Sequence, residues 1–133
     1  MAWIPREKEI EAMLAADGKR RYEYFIHRVC DTRKIWGLYD EGWASLGDGE
    51  KKLIPLWPHA AYAERFKKAE WTSYAPREIE LGVFLGRWIP GMKADGVQPA
   101  IFPIGTGNSV VVSLADLEAH LRHELAESYE EEG

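Results

Sequence analysis

His59 is the residue whose type and position could support chemistry most directly. It follows Trp57-Pro58, and Pro58 suits the first position of a helix because its missing N–H would be unpaired there. We therefore expect His59 in the first turn of a helix, where the helix dipole lowers the pKa of an imidazole and free N–H groups can receive an anion. A neutral His59 could act there as a base or as a hydrogen-bond donor. The sequence shows no partner for the ring, which favours the simpler role in which it caps the helix or packs on Trp57.

Aromatic residues around His59 could supply the walls of a binding pocket. Half of the 16 aromatic residues lie within residues 36–74, and most of them are expected in the core because each can bury about 150–250 Å². Strand alternation nevertheless places apolar bulk on both faces of segment 34–39, so either helices cover both faces or one face binds a partner. The candidate binding residues are Trp43, Trp57 and Tyr62 as walls, His59 as the polar group, and Asp40 or Glu41 to orient its ring.

Three other patterns lack parts that their chemistry requires. His120 and His123 are three residues apart, whereas metalloprotease helices place two histidines four apart, so no metal site is predicted. The glycine-rich segment 105–109 lacks the length and the lysine of a phosphate-binding loop and is expected to be a hairpin turn. Cys30, the one cysteine, lies on an apolar helical stripe and excludes a disulfide framework. We predict no cofactor, and the missing catalytic set favours a non-enzymatic protein while leaving an enzymatic role open.

The hydrophobic periodicity alternates between helical and extended patterns along the chain. The expected elements are N-terminal helices within 5–31, a β-meander over 34–57, helices at 58–69 and 81–90, a hairpin over 97–112 and a C-terminal helix at 114–129. Pro90 is expected to end the helix that contains it, and Ser113 is expected to cap the C-terminal helix. Pro55 is expected to place its strand at a sheet edge or to mark a bulge in it. The sequence therefore predicts a single α+β domain, with an antiparallel sheet of about five strands and helices packed mainly on one face.

The charge distribution argues against a nucleic-acid partner. The chain carries 17 Lys and Arg against 22 Asp and Glu, and its main basic cluster lies within 19–34. Nucleic-acid binding requires a basic stripe with a recognition motif, and no such motif accompanies this cluster. No apolar run reaches the ~20 residues that span a bilayer, and the N-terminus is charged where a signal peptide is apolar. We expect a cytoplasmic protein that binds neither nucleic acid nor membrane.

Two tryptophan-containing segments stand out as sequence blocks. They are Trp36-Gly37-Leu38-Tyr39-Asp40-Glu41-Gly42-Trp43-Ala44 and Leu53-Ile54-Pro55-Leu56-Trp57-Pro58-His59. Both resemble the central blocks of a bacterial family called domain of unknown function 2750, and the later segments 90–96 and 100–103 are similar in order and spacing. The resemblance runs from about residue 22 to residue 125. It implies a compact cytoplasmic α+β domain and implies no particular substrate.

The leading functional prediction is a non-enzymatic protein-binding or regulatory module. An acidic chain with many aromatic residues suits a protein that acts by occupying a partner, as immunity proteins do. The alternative is a small-ligand-binding protein or an enzyme whose aromatic pocket surrounds His59. A homodimer is expected as readily as a monomer, and it would pack Trp71, Tyr74 or Trp88 at a twofold interface.

Overall fold

The computed structural model describes residues 3–47, 52–67, 72–104 and 110–132, and helices and strands are mixed throughout these ranges. The helices are α1 (Glu7–Leu14), α2 (Gly18–Thr32), α3 (Ala60–Phe66), α4 (Leu81–Val83), α5 (Ile89–Asp95) and α6 (Leu114–Glu132), and a π-helical turn (Phe84–Trp88) joins α4 to α5. The strands are β1 (Lys34–Tyr39), β2 (Leu46–Gly47), β3 (Lys52–Leu56), β4 (Ala75–Glu80), β5 (Gln98–Ile101) and β6 (Val110–Val111). This mixture confirms the α+β prediction.

The described strands form two small sheets, so the prediction of one antiparallel sheet of about five strands is wrong. β1 pairs with β4, and the second sheet has the order β2-β3-β5-β6. β3 and β5 are parallel because the chain returns from β3 through α3, β4 and the helical run 81–95, which is the long crossover that parallel pairing requires. The sheets meet where Trp36 and Trp57 exchange backbone hydrogen bonds of 2.9 and 2.8 Å.

The strand that contains Pro55 is not at an edge, which was one of the two alternatives predicted for it. Both Pro55 and Pro99 occupy strands that have neighbours on two sides. The Leu56 carbonyl accepts a hydrogen bond from the chain just after β5, so the backbone groups of Leu56 face β5. Backbone groups of successive strand residues point in opposite directions, so the missing N–H of Pro55 faces the other side. There β2 pairing stops at Leu53 and pairing with β1 starts at Trp57, so no ladder hydrogen bond is lost.

The hydrophobic core lies where α2 and α6 pack together beside the sheets. Phe25 and Val29 of α2 are fully buried, as are Leu117 and Leu121 of α6. The apolar sides of these two helices are therefore their core faces, because helical periodicity places residues three and four apart on one side.

β1 is covered on both of its faces. Ile35 and Leu38 point to opposite faces because they are three residues apart in a strand. Their side chains are 0% and 1% exposed, respectively. Two layers of structure therefore enclose the strand, and this places different residues of β1 in different environments.

The helical run 81–95 passes through Pro90, which was expected to end it. Proline lacks the N–H that would bond to the carbonyl four residues earlier, and its ring clashes with that carbonyl. The π-helical turn Phe84–Trp88 lies immediately before α5 and changes the hydrogen-bond register, so Pro90 is placed in the first turn of α5. The run ends at Gly96, whose φ of 69° suits a glycine C-cap.

α6 begins with a side-chain cap and buries a narrow face. The Ser113 hydroxyl accepts the N–H of Asp116 at 3.0 Å, which confirms the cap predicted from sequence. Leu114 then starts the row of leucines that contacts the core. Among the residues that the structure describes, no helix has both the length and the apolar composition needed to cross a bilayer.

Candidate functional site

A pocket of about 360 Å³ opens where the end of α2, the start of β1 and the start of α3 meet the segment that precedes α1. Its aromatic lining consists of Trp3, Trp36 and His59, with Pro58 beside them. Its polar lining consists of Asp31, Thr32 and Lys34. A volume of a few hundred Å³ with apolar walls and a few polar groups is typical of small-molecule sites.

His59 is held in this pocket by a hydrogen bond to the backbone of α3. It is the N-cap of that helix, so it precedes the first turn in which it was expected, and Pro58 is not the first helical residue. Its Nδ1 accepts the N–H of Ala61 at 3.0 Å, which is the capping role favoured from the sequence. Burial lowers the pKa of His59, and a hydrogen bond to the Trp3 backbone partly opposes this effect. Because Nδ1 is an acceptor, the proton of the neutral ring is on Nε2. The lone pair of the neutral ring is therefore used within the fold.

Trp3 forms one wall of the pocket from the segment that precedes α1. Its ring is 5.3 Å from the His59 ring, centroid to centroid, in a T-shaped arrangement. The Arg28 guanidinium lies 4.5 Å from the centroid of the Trp3 ring, and Glu9 binds Arg28 at 3.3 Å. Sequence reasoning missed Trp3 because the residue belongs to no periodic element. A tryptophan isolated before the first helix is the signal that could have found it.

Trp36 forms a second wall from β1. Its ring is 5.8 Å from the His59 ring and tilted by 45°. Lys34 lies on the same face of β1, and its ammonium binds Glu78 of the neighbouring strand at 2.9 Å. The Asp31 carboxylate, at the end of α2, is 3.9 Å from Arg28 and its side chain is 58% exposed. The rim of the pocket therefore carries both charges, with Asp31 the more loosely held.

Trp57 and Tyr62, which were predicted as pocket walls, lie in the core behind the pocket. They are 0% and 1% exposed. The Trp57 indole donates to the Pro103 carbonyl at 3.0 Å, and the Tyr62 hydroxyl is 2.7 Å from that of Tyr24. Burial raises the pKa of Tyr62 to about 12, so this hydroxyl stays protonated. The two side chains support the pocket without lining it.

Trp43 belongs to a second aromatic cluster on the opposite face of β1. Its ring packs so closely over Gly37 that a Cβ there would lie 3.0 Å from it, and it is 4.9 Å from the Trp88 ring. Tyr74, which was also expected at a dimer interface, is partly buried against the core. Trp71, the third residue expected there, lies outside the described residues.

Asp40 and Glu41 lie in the turn after β1 and do not line the pocket. The Asp40 carboxylate accepts the hydroxyl of Ser73 at 2.7 Å. Glu41 is exposed and has a φ of 60°, which the turn requires. Their predicted role was to orient His59, but the Ala61 N–H and the Trp3 ring contact that ring instead.

The remaining sequence patterns have structural roles where the structure describes them. The Tyr22 hydroxyl is 2.6 Å from Nδ1 of His120, and His123 is 3.0 Å from Glu127, so each histidine has its own partner. Among the described residues no group of three or more His, Cys, Asp or Glu is placed to hold a metal. Burial raises the pKa of the Cys30 thiol to about 12, which makes it a packing residue. The segment 105–109 lies outside the described residues.

Comparison with known sequences gives a family and no activity. No curated protein matches the chain. The family model described as "Protein of unknown function (DUF2750)" matches residues 22–121 of the 133-residue chain. This range includes Trp36, Pro58 and His59, whereas Trp3 and α1 precede it. Because the match spans most of the chain and agrees with the resemblance of the two tryptophan-containing segments, the protein belongs to the DUF2750 family.

Proposed function

We propose that the protein is a non-enzymatic binding module, regulatory or immunity-like in its action, and that the pocket lined by Trp3, Trp36 and His59 is its recognition site. The hydrogen bonding of His59 carries this proposal, since Nδ1, the nitrogen that holds the lone pair of the neutral ring, is used to cap α3. A general base needs a nitrogen that can reach the proton it abstracts. His59 is therefore better suited to be a fixed wall of the pocket than a catalytic group.

The remaining lining residues also suit recognition. Trp3 and Trp36 offer large rigid surfaces that lose little conformational entropy on binding, and tryptophan is enriched among residues that dominate binding energy. Trp3 is held in place by Arg28 and Tyr24. The Arg28 guanidinium lies 4.5 Å from the centroid of the Trp3 ring, and the centroids of the Tyr24 and Trp3 rings are 6.1 Å apart. The polar groups at the rim can orient whatever enters.

A small-ligand-binding protein is the second candidate, and the size of the pocket favours it. About 360 Å³ accommodates a metabolite or one amino-acid side chain of a partner. The two candidates use the same walls and differ in what carries the bound group, a free molecule or a protein.

The test compares wild-type protein with Trp36→Ala, which removes one wall. Trp88→Ala is the matched control, because Trp88 is another partly buried tryptophan and lies in the cluster on the opposite face of β1. Each protein is screened against a metabolite library by thermal shift and used as bait for stoichiometric partners in gentle salt. A specific ligand should raise the Tm of wild type by at least about 2 °C, because it binds only the folded state.

The expected result is that a ligand or a stoichiometric partner binds wild type and Trp88→Ala but fails to bind Trp36→Ala. A metabolite hit would identify the small-ligand candidate, and a protein hit would identify the protein-binding one. Binding that is unchanged in Trp36→Ala would refute the pocket as the recognition site. Turnover of a library compound by wild type would refute the non-enzymatic assignment.

A further inference from the structure

We propose that this pocket binds a cationic alkylammonium group, carried either by a free small molecule or by the lysine side chain of a polypeptide. The inference deepens the proposed function and rests on it. It arises from the combination of aromatic rings and charges around the pocket.

Three rings border the same cavity at different angles. The Trp3 and Trp36 rings lie 5.3 and 5.8 Å from the His59 ring, with interplanar angles of 78° and 45°. A cation is attracted to the face of an aromatic ring when it lies within about 6 Å of the centroid, and tryptophan gives the strongest attraction. Rings that are not parallel can surround an ammonium group from several sides, as aromatic cages do.

Two charged residues, Asp31 and Lys34, line the pocket beside the rings and differ in how closely each is paired. Lys34 is paired with Glu78 at 2.9 Å, and Arg28 is paired with Glu9 at 3.3 Å. The Asp31 carboxylate is 3.9 Å from Arg28, which is the longest of these three ion-pair distances, and 58% of the Asp31 side chain is exposed. The charge of Lys34 is therefore offset by a close partner, whereas Asp31 is the more loosely paired charge in the lining and can attract a cation.

The state of His59 is consistent with a cationic ligand. Burial lowers the pKa of the ring, so it is neutral at pH 7 and presents a π system without a charge. A protonated imidazole would repel an ammonium group. Pro58 and Thr32 complete the lining and add no charge.

The experiment measures binding of choline and of its neutral analogue 3,3-dimethylbutan-1-ol, which has the same shape. Titrations are followed by NMR on the indole N–H signals, and the Trp36 signal is assigned from Trp36→Ala. Choline should shift the Trp3 and Trp36 signals and bind between about two- and thirtyfold more tightly than the alcohol. A lysine-containing tripeptide and its norleucine counterpart form the second pair, and the pair with the larger ratio indicates the source of the ammonium group.

Asp31→Asn tests the electrostatic part of the inference. It should weaken choline binding at least about threefold and leave the alcohol unchanged, because only the cation is attracted by the carboxylate. Asp116→Asn, at the exposed start of α6, is the matched control and should bind choline like wild type.

Equal affinity for the charged and neutral members of both pairs would overturn the inference while leaving a binding pocket in place. Absence of any shift at Trp36 with all four probes would also overturn it. Neither result decides the proposed function, which depends separately on the ligand and partner screen with Trp36→Ala.

Discussion

At the scale of single residues, His59 shows how one side chain can serve both the fold and a site. Its Nδ1 caps α3 and its ring borders the pocket, so the orientation of the ring is fixed before any ligand binds. Preorganised groups lose less freedom on binding, which increases affinity. The same constraint makes the protonation of His59 a property of the whole fold.

We predict that His59 makes the protein less stable in mild acid. Its pKa is lowered from the ordinary value of 6.5 in the folded state, so between the two pKa values the unfolded chain binds more protons than the folded one. The contribution of the neutral ring to stability is therefore complete above about pH 6.5 and is lost as the pH falls below it. His59→Asn keeps a capping side chain and removes the titration.

The measurement is urea denaturation of both proteins from pH 8 to pH 5. All other titrating groups are shared, so the difference in unfolding free energy between the two proteins isolates His59. Wild type should lose stability relative to His59→Asn below about pH 6.5. A difference that stays constant across the range would contradict the prediction.

At the scale of elements, β1 separates two aromatic clusters. Trp36 borders the pocket on one face, and Trp43 covers Gly37 on the other. The Trp43 ring approaches position 37 so closely that a residue without a Cβ fits best there. The packing of the turn after β1 therefore depends on the residue at this position of the strand.

We predict that Gly37→Ala destabilises the protein by about 1–3 kcal/mol, because the new Cβ would lie 3.0 Å from the Trp43 ring and force it to move. Gly91→Ala is the control, since a Cβ there meets no atom within 4 Å and alanine favours a helix. Gly91→Ala should stabilise by up to about 1 kcal/mol. Denaturant unfolding measures both changes. Equal effects of the two substitutions would show that Trp43 adapts without cost.

Local chemistry explains which elements could be predicted from the sequence. Phe25 and Val29 share a helical stripe, Ser113 is an effective cap, and Pro58 precedes a helix start, so each is determined by neighbours a few residues away. Pairing is different. Whether Pro55 can lie in an interior strand depends on which neighbour its missing N–H faces, and that depends on residues far along the chain.

Only part of the pocket could be predicted, because some of its residues are brought together by contacts between distant parts of the chain. His59 could be selected because its sequence position placed it at a helix start. Trp3 was missed because its contact with His59 joins residues 56 positions apart and leaves no periodic trace, so only its isolated position before the first helix marks it. Trp57 and Tyr62 were selected because they are aromatic, but an aromatic residue next to a site can pack in the core behind the pocket and not line it.

At the scale of the whole molecule, one hydrophobic core connects the elements. Its buried residues come from α1 to α6 and from both sheets. Arg21 is buried to 4% exposure and links distant parts of the chain, since it donates to the carbonyls of Ala16 and Phe102 at 2.8 and 3.2 Å. Hydrogen bonds that join distant segments in this way favour cooperative unfolding of the whole domain.

We predict a single unfolding transition. Trp57 is fully buried between the sheets, so tryptophan fluorescence reports on the core, and circular dichroism at 222 nm reports on the helices. The two denaturation curves should coincide because the buried residues of the described elements form one core. Separate midpoints would indicate two independently folding parts and would contradict the single-domain prediction.

The parallel pairing of β3 with β5 has a consequence for how the chain reaches this structure. Leu53 pairs with Gln98, which lies 45 residues further along the chain. β3 therefore cannot pair with β5 until that later segment has been synthesised and has folded back. During that interval Leu53, Ile54 and Leu56 form an apolar strand that other chains could extend. Pro55 lies in the middle of it and interrupts intermolecular pairing, so the proline protects the nascent chain. Pro55→Thr should therefore aggregate more than wild type during refolding. Light scattering measures this, at denaturant concentrations where the two proteins have equal unfolding free energies. Unchanged scattering would exclude this role of Pro55.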